Sequence, residues 1–153
     1  MKKIISFVVG ALMLSTAAWA DSYVVDNKGD FGIAWNAIGK TVGQKDTIIV
    51  TASMGGINVN TKDTGPQKGV IYIIGQNDED GKVPRLDLQI GIDTCTENAF
   101  SLIFENLTLS RRSTGTGEIV SSRSTPTYID TLAFRNCEVL EFGRWPYRST
   151  CDG

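Results

Sequence analysis

Histidine is absent from this 153-residue chain. Its absence excludes Ser-His-Asp and Cys-His catalysis, metal sites with imidazole ligands and an imidazole general base. Any reaction would have to use carboxylate, Lys, Arg or Tyr side chains. The 15 basic and 17 acidic side chains give a net charge of −2, and this mild acidity gives no support for nucleic-acid binding.

Cysteine is scarce as well, with three residues: Cys95, Cys137 and Cys151. An odd number leaves at least one thiol unpaired, and so few cysteines argue against a disulfide-stabilised inhibitor or toxin. Which of the three could pair stays open. Cys137 takes the position that Leu107 fills in the repeat described below, which predicts a small buried apolar side chain.

Residues 1–20 have the organisation of a secretory signal peptide. Met1-Lys2-Lys3 is a basic head, residues 4–14 are apolar, and Ala18-Trp19-Ala20 has the small-x-small pattern of a cleavage site before Asp21. The apolar run is too short for a membrane anchor, and no cysteine at the cleavage point could carry a lipid. We therefore expect one domain, residues 21–153, exported to the periplasm, cell surface or medium, with no membrane span after cleavage.

Two stretches 30 residues apart repeat one pattern: residues 102–109 read LIFENLTL and residues 132–139 read LAFRNCEV. Each has an apolar-x-Phe-charged-Asn order followed by further alternation. Period-two alternation predicts a strand with one buried face, and the central Asn predicts a bend. Because one such unit cannot bury its own apolar face, the recurrence predicts that the two units stack.

Other segments continue this spacing. Alternating or β-branched composition predicts strands at residues 47–51, 57–60, 70–75 and 85–91. The successive intervals from Ile49 to Ile73, to Phe104 and to Phe134 are 24, 31 and 30 residues. We therefore predict an all-β fold, a parallel β-helix (solenoid) of about four rungs. The alternative is a β-sandwich, and Asp80-Gly81 could form a local hairpin.

A short helix is predicted ahead of these strands. Residues 31–38 have apolar side chains at helical spacing, with Asp30 as the expected N-cap and Gly39 as the expected C-cap. At the first end of a repeat stack, such a helix would cover the exposed apolar side chains.

Arginine and aromatic side chains form the candidate ligand-binding set. Arginine offers a planar fork that matches carboxylates, and aromatic faces stack on sugar rings. The set predicted for a polysaccharide is Arg111, Arg112, Arg123, Arg135, Arg144, Trp145, Tyr147 and Arg148. Stacking the repeats also puts Glu105 over Arg135 and Thr108 over Glu138. We interpret these two as cross-strand pairs on a solvated sheet.

The acidic segment 76–81, QNDEDG, approaches the spacing of a calcium-binding loop. Its first ligand position is Gln76, its twelfth is Asp87, and strands rather than helices flank it. We interpret this segment as an acidic surface turn. The sequence predicts no metal site and no cofactor.

Four segments resemble one known family: FGIAWNAIGKTVGQKDTIIV, GVIYIIGQN, LIFENLTL and IDTLAFRNCEVLEFGR. They resemble secreted pectate-lyase-like right-handed parallel β-helix proteins, including surface and secreted proteins of Bacteroidetes. Because such relatives run to several hundred residues, the resemblance implies that this chain is an N-terminal portion. An uncapped last rung would expose strand edges and favour self-association.

The resemblance to pectate lyases implies an Arg or Lys base acting next to a uronate carboxylate that Ca²⁺ neutralises. No three acidic residues gather on one predicted rung, and an unsupported Arg is a poor base because its pKa is so high. We therefore expect a non-catalytic exported protein that binds carbohydrate or mediates adhesion. The alternative is the N-terminal part of a polysaccharide lyase or hydrolase acting on acidic polysaccharides, and only that alternative would use Ca²⁺.

Overall fold

The computed structural model of the chain describes residues 20–61, 68–92, 100–111, 118–122, 129–140 and 147–149. These residues form one helix and eleven strands. In chain order they are β1 (Ser22–Val25), α1 (Lys28–Ala37), β2 (Lys45–Val50), β3 (Met54–Asn60), β4 (Val70–Gly75), β5 (Arg85–Ile92), β6 (Phe100–Glu105), β7 (Thr108–Arg111), β8 (Val120–Ser122), β9 (Ile129–Arg135), β10 (Glu138–Leu140) and β11 (Tyr147–Ser149).

The strands form two sheets in which the observed pairings are parallel. One sheet has the order β1-β2-β4-β6-β9, and the other has the order β10-β7-β5-β8-β11, with β3 also paired to β5. From β2 onwards the chain passes repeatedly from one sheet to the other. Two neighbouring parallel strands must be joined by a crossover connection. In this fold, the crossover between strands of one sheet runs through a strand of the other sheet.

The predicted right-handed parallel β-helix of about four rungs is wrong. The described strands form two open parallel sheets beside one helix, and no sheet in this part of the chain is closed or coiled into a solenoid. A long, regular interval between strands indicates a crossover connection. The chain can make that crossover by passing through a second sheet, and the two sheets need not close into a solenoid. The hairpin at Asp80-Gly81 is also wrong, because β4 and β5 on either side belong to different sheets.

The predicted pairing of the two repeats is confirmed. Phe104 lies opposite Phe134, and their rings stack with centroids 5.2 Å apart and planes 5° apart. The predicted alignment of Ile73 with Phe104 is also confirmed, whereas Ile73 pairs on its other side with Ile48 rather than Ile49. The 30-residue interval therefore brings equivalent side chains together.

The helix begins earlier than predicted, and Asn27 caps it instead of Asp30. The Asn27 Oδ1 atom accepts hydrogen bonds from the backbone N–H groups of Gly29 and Asp30, at 2.9 and 3.0 Å. Asn27 is in an extended conformation that leaves its side chain free to reach them. After the helix, Gly39 has φ +64°, the left-handed conformation that a glycine adopts at low cost.

The helix covers one end of the hydrophobic core, and the other end is less covered. Phe31 and Trp35 are fully buried, and the helix contacts β1, β2 and β3. At the opposite end lie β9 and β10, each of which is an edge strand of its sheet among the described strands. Leu132 and Phe134 there are half-buried and Val139 is 37% exposed. Their counterparts in β6 and β7 are fully buried, so the core opens towards β9 and β10.

Candidate functional site

An open cleft lies where the connection from β4 to β5 faces the bends that follow β6 and β9. Its volume is about 610 Å³. The three segments contribute Lys82, Val83, Leu107, Thr108, Phe134, Asn136, Cys137 and Glu138 to its lining. A concave surface of this size that combines an aromatic ring with several polar groups is typical of a small-ligand site.

Asparagine side chains hold the bends that form the cleft. Asn106 and Asn136 have φ values of 53° and 48°, a conformation that Asn tolerates better than most residues. Asn106 Nδ2 donates to Gly75 O at 2.8 Å and to Asn77 Oδ1 at 2.7 Å. Asn136 Nδ2 in turn donates to Asn106 Oδ1 at 2.9 Å. This asparagine ladder fixes the bends to each other and to the end of β4.

The polar rim of the cleft carries both signs of charge. Lys82 and Glu138 are exposed, and Glu138 lies opposite Thr108, as the stacking of the repeats predicted. The turn that carries Lys82 is held by Asp78, whose Oδ1 accepts from the backbone N–H of Lys82 at 2.8 Å and of Asp80 at 3.1 Å. The cleft can therefore offer both hydrogen-bond donors and acceptors.

Cys137 forms part of the wall rather than of the rim. The side chain was predicted to be small, apolar and buried; it is half-buried and packs against the hydrophobic core, and Sγ lies 3.3 Å from the carbonyl oxygen of Arg135. Burial raises the pKa of the Cys137 thiol above 9.0, and the charge of Glu105 adds to the rise. The thiol is therefore neutral at physiological pH and contributes a weakly polar surface.

A separate polar cluster lies on β5 and β7. Arg85 Nε contacts Asp87 Oδ1 at 2.9 Å, Arg85 Nη2 donates to Ser110 Oγ at 3.0 Å, and Ser110 Oγ donates to Asp87. A Cβ atom at Gly55 would lie 3.0 Å from Asp87 Oδ2, so the cluster fits closely against the neighbouring strand. Since these side chains satisfy one another, we interpret the cluster as cross-strand stabilisation.

Of the predicted ligand-binding set, the structure describes the side chain of Arg135 alone, so the set stays a prediction. Arg135 is exposed at the end of β9 opposite Glu105, on the sheet rather than in the cleft lining. For Arg111 in β7 and for Tyr147 and Arg148 in β11, only the backbone positions are described. The remaining predicted residues lie outside the described residues: Arg112, Arg123, Arg144 and Trp145.

Sequence reasoning missed Lys82, Phe134, Asn136 and Glu138 as a group. The repeat identified the last three as neighbours, but it assigned Phe134 and Asn136 to the architecture alone. Nothing in the order of residues shows that the turn carrying Lys82 folds against these bends.

No group of three or more Cys, Asp or Glu side chains among the described residues is close enough to hold a metal ion. In the same residues no helix is long and apolar enough to cross a membrane. No protein-family model, curated protein or solved structure matches the chain. The family resemblance therefore stays a prediction, and the fold that it implied is not the one observed.

Proposed function

We propose that this chain is an exported, non-catalytic protein that binds carbohydrate in the cleft between Lys82 and Glu138. The observation that carries the proposal is the chemistry of the lining. One ring, Phe134, is half-buried beside an amide, a hydroxyl, a carboxylate and an ammonium group. Sugars present apolar ring faces and hydroxyl groups that both donate and accept, and this lining complements both. Export rests on the signal-peptide pattern of residues 1–20.

The composition of the cleft supports binding rather than hydrolysis. Glycoside hydrolysis generally needs two carboxylates, one on each side of the scissile bond. Of the described lining residues, Glu138 alone has a carboxylate. It is exposed to solvent rather than enclosed in an apolar pocket of the kind that surrounds a general acid.

The test is affinity electrophoresis of the chain 21–153 in gels that contain increasing concentrations of a soluble polysaccharide. An acidic polymer (polygalacturonate) and a neutral one (galactan) are compared. We expect at least one to bind. Lys82→Ala and Glu138→Gln should each weaken that binding by about tenfold, since each removes a charged hydrogen-bonding group. Lys28→Ala and Glu79→Gln, which remove exposed charges away from the lining, are the matched controls.

If none of the polysaccharides slows the migration of the chain relative to an inert protein, the proposal is contradicted. Binding that all four variants weaken equally would show a diffuse charge effect instead of a site. Release of unsaturated or shortened products would contradict the non-catalytic part.

Self-association is the second part of the proposal, and it involves the free edge of β9, the edge that pairs with no other described strand. Arg135 O accepts a hydrogen bond from Asn106 N at 3.0 Å, so the backbone groups of Arg135 face β6. Because successive residues of a strand face opposite edges, Leu132 and Phe134 direct their N–H and C=O groups to the free edge. An unpaired edge of this kind is a template for another strand.

A second copy of the chain can satisfy this edge through a two-fold axis at Ala133. In antiparallel pairing about that axis, Leu132 of each copy forms a hydrogen-bonded pair with Phe134 of the other copy, so this pair occurs twice. On the outer face it brings Arg135 opposite Thr131 of the second copy and beside Asp130, whose carboxylate accepts from Ser101 on that face. Apolar groups then meet apolar groups, and opposite charges meet.

Cysteine cross-linking tests this arrangement in a chain whose three natural cysteines are replaced by serine. Ala133→Cys places two thiols across the axis, where the Cα atoms of a non-hydrogen-bonded pair are about 4.5 Å apart and can be bridged. Thr131→Cys is the matched control on the same face, because its copies are four residues out of register. Mixing Thr131→Cys with Arg135→Cys should again give a dimer.

We expect oxidation to yield at least about ten times more dimer from Ala133→Cys than from Thr131→Cys, because thiols beyond bridging distance do not react. Equal yields would contradict the two-fold register. A single monomeric species in analytical ultracentrifugation over a wide concentration range would contradict self-association itself.

A further inference from the structure

Asp46, near the start of β2, is a fully buried carboxylate. Its Oδ1 atom accepts from the backbone nitrogen of Asp21 at 3.0 Å and from Gln44 Nε2 at 2.8 Å. Its Oδ2 atom accepts from the backbone N–H of Gly39 at 2.7 Å. These three donors are neutral groups. A buried carboxylate is costly, and a cation beside it would stabilise it further.

Asp21 is the residue that the predicted cleavage makes the first of the exported chain. Hydrolysis of the peptide bond between Ala20 and Asp21 consumes one water molecule. The carbonyl carbon of Ala20 takes the hydroxyl group and becomes a carboxylate, and the nitrogen of Asp21 becomes a primary amine. At neutral pH that amine takes up a proton and becomes an ammonium group. The nitrogen that gains this charge is the one that already lies 3.0 Å from Asp46.

We infer that Asp46 is a binding site for the ammonium group created at Asp21 when the leader is removed, an inference that rests on the proposed export. Cleavage replaces a neutral backbone N–H donor by an ammonium group, so that both partners of the hydrogen bond are charged. The carbonyl of Asp21 already accepts from Thr47 N at 2.8 Å, which holds the residue in place. Ala20 is exposed, so the bond to be cleaved is accessible.

The anchor connects three elements at once. Through Asp46 the new terminus joins the start of β1 to β2, and through Gly39 it joins both to the end of α1. Since β1 has four residues and is the edge of its sheet, a fixed first residue limits fraying of that edge. Removal of the leader thereby adds a positive charge to a contact that the uncleaved chain makes with a neutral donor.

The experiment is a thermodynamic cycle on the full mature domain. One chain begins at Asp21 with a free amine, a second keeps Ala20 as an additional first residue, and a third begins at Asp21 but is α-acetylated. Each is prepared with Asp46 and with Asp46→Asn, and unfolding in urea is followed by fluorescence. Asp26→Asn, which removes an exposed carboxylate near the terminus, is the matched control.

We expect the equilibrium constant for unfolding of the free-amine chain to be about tenfold smaller than those of the extended and acetylated chains. The difference should vanish with Asp46→Asn and persist with Asp26→Asn. Equal constants for the three chains, or a difference that survives Asp46→Asn, would overturn the inference. If Asp46→Asn does not fold, the comparison of free and acetylated amines decides alone.

N-terminal sequencing of the exported protein separates this inference from the proposed export. A first residue of Asp21 with no coupling to Asp46 leaves export standing and overturns the anchor. A different first residue overturns the anchor, and a retained leader overturns export as well.

Discussion

At the scale of single residues, the repeat shows that side chains at equivalent positions can differ in burial and therefore in their contribution to stability. Phe104 and Phe134 occupy equivalent positions and stack on each other, yet Phe104 is fully buried and Phe134 is half-buried. Phe104 belongs to the core. Phe134 is covered by Phe104 on one side and lines the cleft elsewhere.

This difference predicts unequal effects of the same substitution. Phe104→Ala should lower the free energy of unfolding by about 3–5 kcal/mol, because it leaves a cavity in a packed core. Phe134→Ala should lower it by roughly 1–2 kcal/mol, because less apolar surface is lost from a buried site. Urea unfolding at low protein concentration measures both values. Equal losses would show that Phe134 is as much a core residue as its counterpart.

Cys137 gives a prediction about pH. Because burial raises its pKa, the folded chain holds the thiol proton at a pH where the unfolded chain has lost it. The resulting stabilisation is fully present below the pKa of the unfolded thiol and is lost as the pH rises through the raised pKa of the folded one. In a chain with Cys95→Ser and Cys151→Ser, alkylation by iodoacetamide should therefore reach its half-maximal rate at a higher pH when the chain is folded than when it is unfolded in urea.

A matched pair of variants tests the electrostatic part of that shift. Glu105→Gln removes a charge that raises the pKa of Cys137, so it should make the thiol react at lower pH. Glu79→Gln, in the exposed turn before Lys82, should leave the profile unchanged. Identical profiles in folded and unfolded chains would contradict the assignment of the shift to burial.

At the scale of the elements, the asparagine ladder connects the bends after β6 and β9 to the end of β4. Asn106 donates two side-chain hydrogen bonds and accepts one from Asn136. Asn136 donates that one bond and ends the ladder among the described residues. The two bends therefore depend on the ladder to different extents.

Glycine substitution separates the ladder from the backbone conformation, since glycine adopts positive φ without strain. Asn106→Gly should lower the free energy of unfolding by about 2–3 kcal/mol, and Asn136→Gly by about 1 kcal/mol, at roughly 1 kcal/mol for each hydrogen bond. Chemical denaturation provides the measurement. A larger loss for Asn136→Gly would assign the stability of the bends to something other than these bonds.

At the scale of the whole molecule, the sequence predicted local patterns better than it predicted their assembly. Alternation and the repeated Asn were sufficient to pair Phe104 with Phe134, because both signals depend on near neighbours along the chain. Strand spacing indicates a crossover but gives neither the number of sheets nor their closure, which is why the predicted solenoid is wrong. Asn27 and Asp30 are both good N-caps, and only the backbone conformation decides between them.

The cleft could not be predicted for a related reason. It forms where a turn from one crossover contacts two bends from others, and the approach of these loops depends on how the sheets pack. Lys82 has no distinguishing neighbours in the sequence. Residue type suggested a ligand class, whereas the approach of the loops places Lys82 in the lining of the cleft.

The parallel pairing of the strands has a consequence for how the chain acquires its structure. Each strand pairs with a strand that is 20 or more residues away in the sequence, as Phe104 pairs with Phe134. Chains dominated by such distant pairings search longer before their contacts become productive, and small domains of this kind fold on a timescale of about milliseconds to seconds. For a chain exported as we propose, slow folding would keep the polypeptide extended during translocation.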